Sequence, residues 1–360
     1  MSRVTYILGA GASYGERKKD DHGEIIEFTR GLPVVNEFEL ALQLLKQGDN
    51  RSGVVFSAEE ASKHGLTTEQ YKIVQKYLSL LEDACSSYPT IDTLAKQLYV
   101  TKLPFIIQGK DFVQYKDLKR FIAAALLMMQ DERKRDLRYD GFIASLIDSN
   151  RNFPPMTILS WNYDVQFEMA YSGYFTEYRY IPNLWKELNV FNKMYPTDFD
   201  VTKPFAMLKL NGTALFTDSS LETWKADGKQ VERITDCFYG GGNEKPFQYG
   251  HKYLTSGIHE PLLSYAWEEQ NRTKLESIIE QRTFDTRELV VIGYSFPYVN
   301  NEMDTFIIQN MSKLEKVVVQ DKNFEDIKER IEGILEPTRR TVKIVPKNSL
   351  QQFYIPNRFE

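Results

Sequence analysis

Residues 6–15 read YILGAGASYG, and this stretch decides the fold. Three apolar side chains, Tyr6, Ile7 and Leu8, run straight into Gly9, and Gly11 and Gly15 come next. A short apolar run broken by glycine predicts a buried strand over residues 3–8 with a sharp turn after it. Glycine also lets a ligand approach the backbone, because no Cβ stands in the way. A helix starting near Ala12 and Ser13 would point free N–H groups over the loop, as in a pyrophosphate site. The spacing Gly-x-Gly-x-x-x-Gly is one residue longer than the dinucleotide fingerprint. It fits an ordinary strand–turn–helix junction equally well.

The chain after Gly15 departs from a dehydrogenase. Glu16-Arg17-Lys18-Lys19-Asp20-Asp21-His22 has no apolar face and reads as a solvated loop leading to Gly31-Leu32-Pro33. A dehydrogenase needs a packed helix there, then a second strand ending in a ribose-binding acid.

A length of 360 residues suffices for one large domain or two. The net charge of −5 carries no basic excess, which argues against direct nucleic-acid binding. The run Arg133-Lys134-Arg135 reads as one solvated helix face. Cys85 and Cys237 are the two cysteines, so metal-site spacing is lacking and a reducing cytoplasm is expected. No targeting segment and no apolar run of membrane-spanning length is visible, so no membrane partner is expected.

Residues 34–150 read as helices without strands: 35–46, 68–87, 91–99, 116–131 and 141–148. Such a block cannot build an α/β sheet by itself, so it reads as a helical insertion. Residues 47–65 read as a loop. The remainder, 1–33 plus 151–360, alternates strand and helix. Strands are expected at 156–161, 206–210, 289–292, 316–319 and 342–345. Helices are expected at 165–171, 261–281, 301–311 and 324–335. Residues 215–236 suggest a hairpin or small module, and 238–245 a flexible loop. The expected class is α/β, a Rossmann-like, mostly parallel sheet with a helical insertion.

Ligands of such sheets bind beyond the carboxyl ends of the strands. Those ends carry Gly9-Ala10-Gly11-Ala12-Ser13, Asn162-Tyr163-Asp164, Asn211-Gly212-Thr213, Gly293-Tyr294-Ser295 and Gln320-Asp321. Each has a structural explanation: Asn162 as a helix cap, Asp164 as a first-turn acid, Gly212 and Gly293 as bends. Their coincidence on one edge favours a nucleotide cleft.

In chain order, GAGAS, GLP, SWNYD, LKLNG and VVIGYSFP with Asp304 resemble the sirtuin-like family, nearest its bacterial branch that degrades NAD in antiphage defence. The likeness covers about 1–35 and 155–325. It implies that Gly9, Ala10, Gly11, Ala12 and Ser13 cradle the NAD diphosphate. It implies that Asn162 orients the nicotinamide ribose and a water, with Asp164 next in the motif. Gly293 and Ser295 would pack at the adenine-side diphosphate, and Gln320 or Asp321 would meet the adenosine ribose. The chain departs from the family at Asn211, where a His-Gly motif supplies the base. An amide takes up no proton near neutral pH.

Three outcomes stay open: slow cleavage aided by Asn162, a base from elsewhere (His251 or His259), or binding without turnover. His22 and His64 read as solvated. The zinc-bearing deacylase branch is disfavoured, since two isolated cysteines cannot form its four-cysteine site. The resemblance therefore implies an NAD-hydrolysing defence effector of the cytoplasm without a metal. A homo-oligomer is expected, alone or with an ATPase or other defence subunit. The alternative is an inert nucleotide-binding subunit.

Overall fold

The computed structural model describes residues 3–47, 62, 66–107, 111–130, 135–175, 181–194, 199–216, 246–255, 260–270, 272–357 and 359. Seven strands make the central sheet: β1 Val4–Leu8, β2 Met156–Ser160, β3 Val190–Asn192, β4 Phe205–Lys209, β5 Glu288–Ile292, β6 Lys316–Gln320 and β7 Lys343–Pro346. Their order is β7-β6-β5-β1-β2-β4-β3, and every neighbouring pair is parallel. The sheet is therefore Rossmann-like, with β1 in the middle. From β1 the chain builds one side by laying β2, then the edge strand β3, then β4 between them, and returns to build β5, β6 and β7 on the other side. The switch point lies between β1 and β5, beside the glycine loop.

The strands form because their apolar runs can be buried on both faces. Alternate side chains divide between two cores. Tyr6, Leu8, Met156, Ile158, Val290 and Ile292 face one core. Ile7, Leu159, Leu289, Val291, Val317 and Val319 face the other. The described helices are α1 Phe38–Gln47, α2 Thr68–Ser86, α3 Ile91–Thr101, α4 Tyr115–Met129, α5 Leu137–Leu146, α6 Gln166–Tyr174, α7 Ile181–Glu187, α8 Pro246–Thr255, α9 Arg272–Thr283, α10 Asn301–Asn310 and α11 Phe324–Leu335. Helices α1 to α8 contribute to the first core. Helices α9 to α11 cover the second face.

Several expected elements are corrected. The charged run after Gly15 is not a solvated loop: Glu16–Lys19 pairs antiparallel with Ile25–Arg30. Arg17 makes this possible, because its buried guanidinium donates to the carbonyls of Arg30 and Leu32 and pairs with Glu37 at 2.8 Å. The insertion is not purely helical, since Phe105–Ile107 pairs with Asp111–Val113. The helix expected over 261–281 begins only at Arg272. Before it, Pro261–Leu263 pairs antiparallel with Gly212–Phe216. Glu268 then ends any helical course: its carboxylate takes the Tyr265 N–H (3.1 Å), the Ser264 hydroxyl (3.3 Å) and the Lys119 ammonium (3.1 Å). Side-chain acceptors of this kind compete with the backbone ladder. Strand β3 went unread because three residues show no period. The expectations at 217–236 and 238–245, and most of that at 47–65, lie outside the described residues.

Candidate functional site

The sheet register aligns five residues across the carboxyl rim: Lys209, Ser160, Leu8, Ile292 and Gln320. The 9–13 loop leaves this rim from the centre. It makes one 3-10 turn, Ala10–Ser13, and no helix continues from it. The expected helix start at Ala12–Ser13 is thus absent, because the chain turns into the hairpin and Leu32 N–H closes on the Ser13 carbonyl at 2.7 Å. Loop amides are largely used within the protein. Gly9 donates to Ile292, Gly11 to Gly293 and Ala12 to Gly9, while Gly15 donates to the Asp136 carboxylate. Glycine is required here by loop-on-loop packing. A Cβ on Gly9 would lie 2.5 Å from the Gly293 carbonyl oxygen, and one on Gly293 (φ +59°) 2.3 Å from Gly11 C. The 9–13 and 293–296 loops therefore form one rigid unit at the switch point.

Asn162 sits beside that unit, 5 % exposed. Its Nδ2 donates to Ser13 Oγ at 3.2 Å, and Ser13 Oγ lies 3.0 Å from the Tyr139 hydroxyl. Its Oδ1 is buried with no hydrogen-bond partner. A buried, unpartnered carbonyl of this kind costs roughly 1–3 kcal/mol. Burial, with the charge of Asp164 adding to it, holds the Tyr139 phenol well above its ordinary range. The Asp164 carboxylate accepts the Gln166 N–H at 3.0 Å, the helix-entry role that its position suggests. Gln166 in turn accepts the Asp136 N–H at 2.7 Å. Arg138 binds Asp136 and donates to the carbonyls of Gly11 (3.0 Å) and Ala12 (3.3 Å). Asp136, Arg138 and Tyr139 were not readable as site residues. They lie more than 100 residues from the loop they contact, next to a basic run that looks solvated.

No protein-family model and no curated protein matches this sequence.

Lys209, on the rim, forms a buried ion pair with Glu168 at 3.1 Å and donates to the Asp164 carbonyl at 2.6 Å. Asn211 has both amide ends occupied. Its Oδ1 takes the Ala266 N–H at 3.0 Å and its Nδ2 reaches the Trp161 carbonyl at 3.4 Å. It ties the β4 loop to the 264–266 turn. Under the β5 loop, Tyr294 stacks on Trp161 (5.5 Å, 8°) and donates to Asp304 at 2.8 Å. Burial lifts the Asp304 carboxyl well above the usual range, against the opposing pull of the Tyr294 hydroxyl.

The outer members are more dispersed. Ser295 is exposed, and its carbonyl accepts from Arg330. Asp321 accepts the Asn323 N–H at 2.8 Å. Gln320 points to the first face and is bound by residues 349–354. His22 is exposed at the hairpin turn. His251 lies on α8, which packs against α4, and burial lowers its imidazole. His64 and His259 lie outside the described residues. Among the described residues no cluster of His, Cys, Asp or Glu could hold a metal ion, and no helix is long and apolar enough to cross a membrane.

Tyr163 links the rim to the insertion by donating to Asp92 at 2.7 Å. Burial raises the Asp92 carboxyl from 3.8 to about 6, which the Tyr163 bond only partly opposes. The folded chain thus holds this proton more tightly than the unfolded chain. The resulting stability is full below about pH 4 and lost as pH rises through about 6. Asp92→Asn is expected to flatten this loss and to exceed the wild type near pH 8 by about 1–3 kcal/mol. Urea unfolding at both pH values checks it; parallel pH dependence in the two proteins would refute it.

Proposed function

We propose that the chain binds NAD across the switch point and hydrolyses the bond between nicotinamide and ribose. The observation that carries this reading is Asn162 Oδ1: a buried acceptor without a donor, at a strand end, beside the glycine loop. A ribose hydroxyl supplies the missing donor. The sirtuin-like order of motifs supports the same choice of ligand. In the reaction, the electron pair of the glycosidic bond moves to the pyridinium nitrogen, and nicotinamide leaves neutral. No general acid is required. An oxocarbenium-like ribose remains and takes water, giving ADP-ribose and a proton. Asn162 fixes the ribose, and its carbonyl dipole favours the developing positive charge.

A second reading is an inert nucleotide-binding subunit. The bound amide of Asn211 favours it, since that residue is held by Ala266 and Trp161 and cannot serve as a base. The same resemblance supplies the setting proposed for both readings: a bacterial cytoplasm, an oligomer with or without an ATPase subunit, and antiphage defence.

Proton NMR of NAD with near-stoichiometric protein tests the two together. Growth of free nicotinamide signals over hours is the expected result. Intact but broadened NAD would support the second reading. Sharp, intact NAD would overturn both.

A further inference from the structure

Residues 347–357, after β7, fold back across the rim and down the first face of the sheet. Lys347 N–H closes on the Val319 carbonyl at 2.8 Å. Gln320, on the rim, then latches the segment. Its Nε2 donates to the carbonyls of Ser349 (2.5 Å) and Gln352 (2.6 Å), and its Oε1 accepts the Tyr354 N–H (2.9 Å). Phe353 is 5 % exposed and packs edge-on to Tyr139, with centroids 5.0 Å apart, and to Phe142 at 5.6 Å. Arg138 lies over the Phe353 ring at 5.1 Å and donates to the Leu350 carbonyl at 3.3 Å. The same guanidinium holds the Gly11 and Ala12 carbonyls.

These contacts place one short segment on both sides of the switch point. It joins the glycine loop, through Arg138, to the end of β6, through Gln320. A dinucleotide laid across that edge would meet the same two side chains. Arg138 is a cation at the glycine loop, forked onto the Asp136 carboxylate, and its acceptors on the loop itself are neutral carbonyls. A diphosphate is a stronger acceptor for a guanidinium than a neutral carbonyl, because both partners are charged and bidentate contact is available. The loop's own amides are largely used elsewhere, so a side-chain cation is the remaining chemistry for phosphate.

We infer that residues 349–353 are a resident competitor for the nucleotide: they hold Arg138 and Gln320, and an entering dinucleotide displaces them as Arg138 turns from carbonyls to the diphosphate. The inference rests on the NAD reading above. It adds a diphosphate ligand from the insertion and an internal strap that keeps the resting site closed. Displacement of such a strap lowers apparent affinity by the fraction of chains that are open.

Hydrogen exchange on the wild-type chain, with and without millimolar NAD, tests it at the Tyr354 amide that bonds to Gln320. NAD is expected to speed exchange there about tenfold or more, since the bond must open. Phe353→Ala, which loosens the strap, is expected to tighten NAD binding about tenfold. Line broadening of the NAD signals reports binding independently. If NAD binds while the Tyr354 amide stays protected, the strap does not compete and the inference is overturned. That result leaves the NAD reading intact. If NAD binds neither the wild type nor Phe353→Ala, the NAD reading falls and takes this inference with it. Should Phe353→Ala fail to fold, exchange in the wild type decides alone.

Discussion

Asn162→Ala is expected to lower NAD cleavage at least about a hundredfold, the scale of losing one positioned polar group in a closed site. Its stability is expected to stay within about 1 kcal/mol of the wild type. The two halves of this expectation share one cause. Asn162 makes a single side-chain bond, to Ser13, and keeps its Oδ1 buried without a partner. Removing the side chain gives up the first and relieves the second, so folding changes little. Function is expected to change greatly, because the proposed reading assigns the unpartnered oxygen to a ribose hydroxyl. Residues held for binding rather than for folding commonly show this pattern. Nicotinamide release and urea unfolding on the same preparation check it. Unchanged turnover would remove Asn162 from the site, and a large loss of stability would make it a structural residue.

Lys209→Met is expected to destabilise the chain by about 3–5 kcal/mol, the cost of leaving a buried charge without its partner. Lys209 is 1 % exposed and Glu168 is fully buried. Glu168 Oε1 receives the Lys209 ammonium and the Trp185 indole N–H at 3.2 Å, and its second oxygen has no partner. Methionine fills similar volume but leaves that carboxylate in the first core without a cation, held only by the Trp185 indole N–H. Adding Glu168→Gln removes the orphaned charge, so the double variant is expected to regain most of the loss. Shifts in urea midpoint at constant slope measure both effects. A loss below about 1 kcal/mol for Lys209→Met would show that solvent reaches the pair.

The two variants separate the rim into its working parts. Lys209 also holds the Asp164 carbonyl, so the charge pair supports the Asn162-Tyr163-Asp164 turn from below. The glycine loops support it from the side. Between them, one amide oxygen is left over.

Much of this was legible in the sequence. The apolar runs of β1, β2, β4, β5 and β6, each ending in polar or glycine residues, predict a parallel sheet and its rim. Burial on both faces leaves a continuous apolar run, and such a run survives in the sequence whatever surrounds it. Helix α11 was placed without error because its apolar period is intact. The failures have a common physical form. Arg17, Glu268 and Arg138 look like surface charges, yet all three are used inward: Arg17 and Arg138 on backbone carbonyls distant in sequence, Glu268 on the distant Lys119 ammonium. Charge in a sequence does not reveal whether water or a carbonyl receives it.

The sequence alone therefore determined the class of fold and the edge on which polar strand-end residues collect, because hydrophobic period and strand-end polarity are local properties. Only the tertiary structure decided how those strand-end residues are used. It placed Gly9 and Gly11 against Gly293, occupied both ends of Asn211, and left Asn162 Oδ1 without a donor. It also carried residues 347–357 back over Gln320. Each of these is a pairing between distant parts of the chain. Hydrogen-bond satisfaction is settled by the partners that folding brings together, and no stretch of sequence names them in advance.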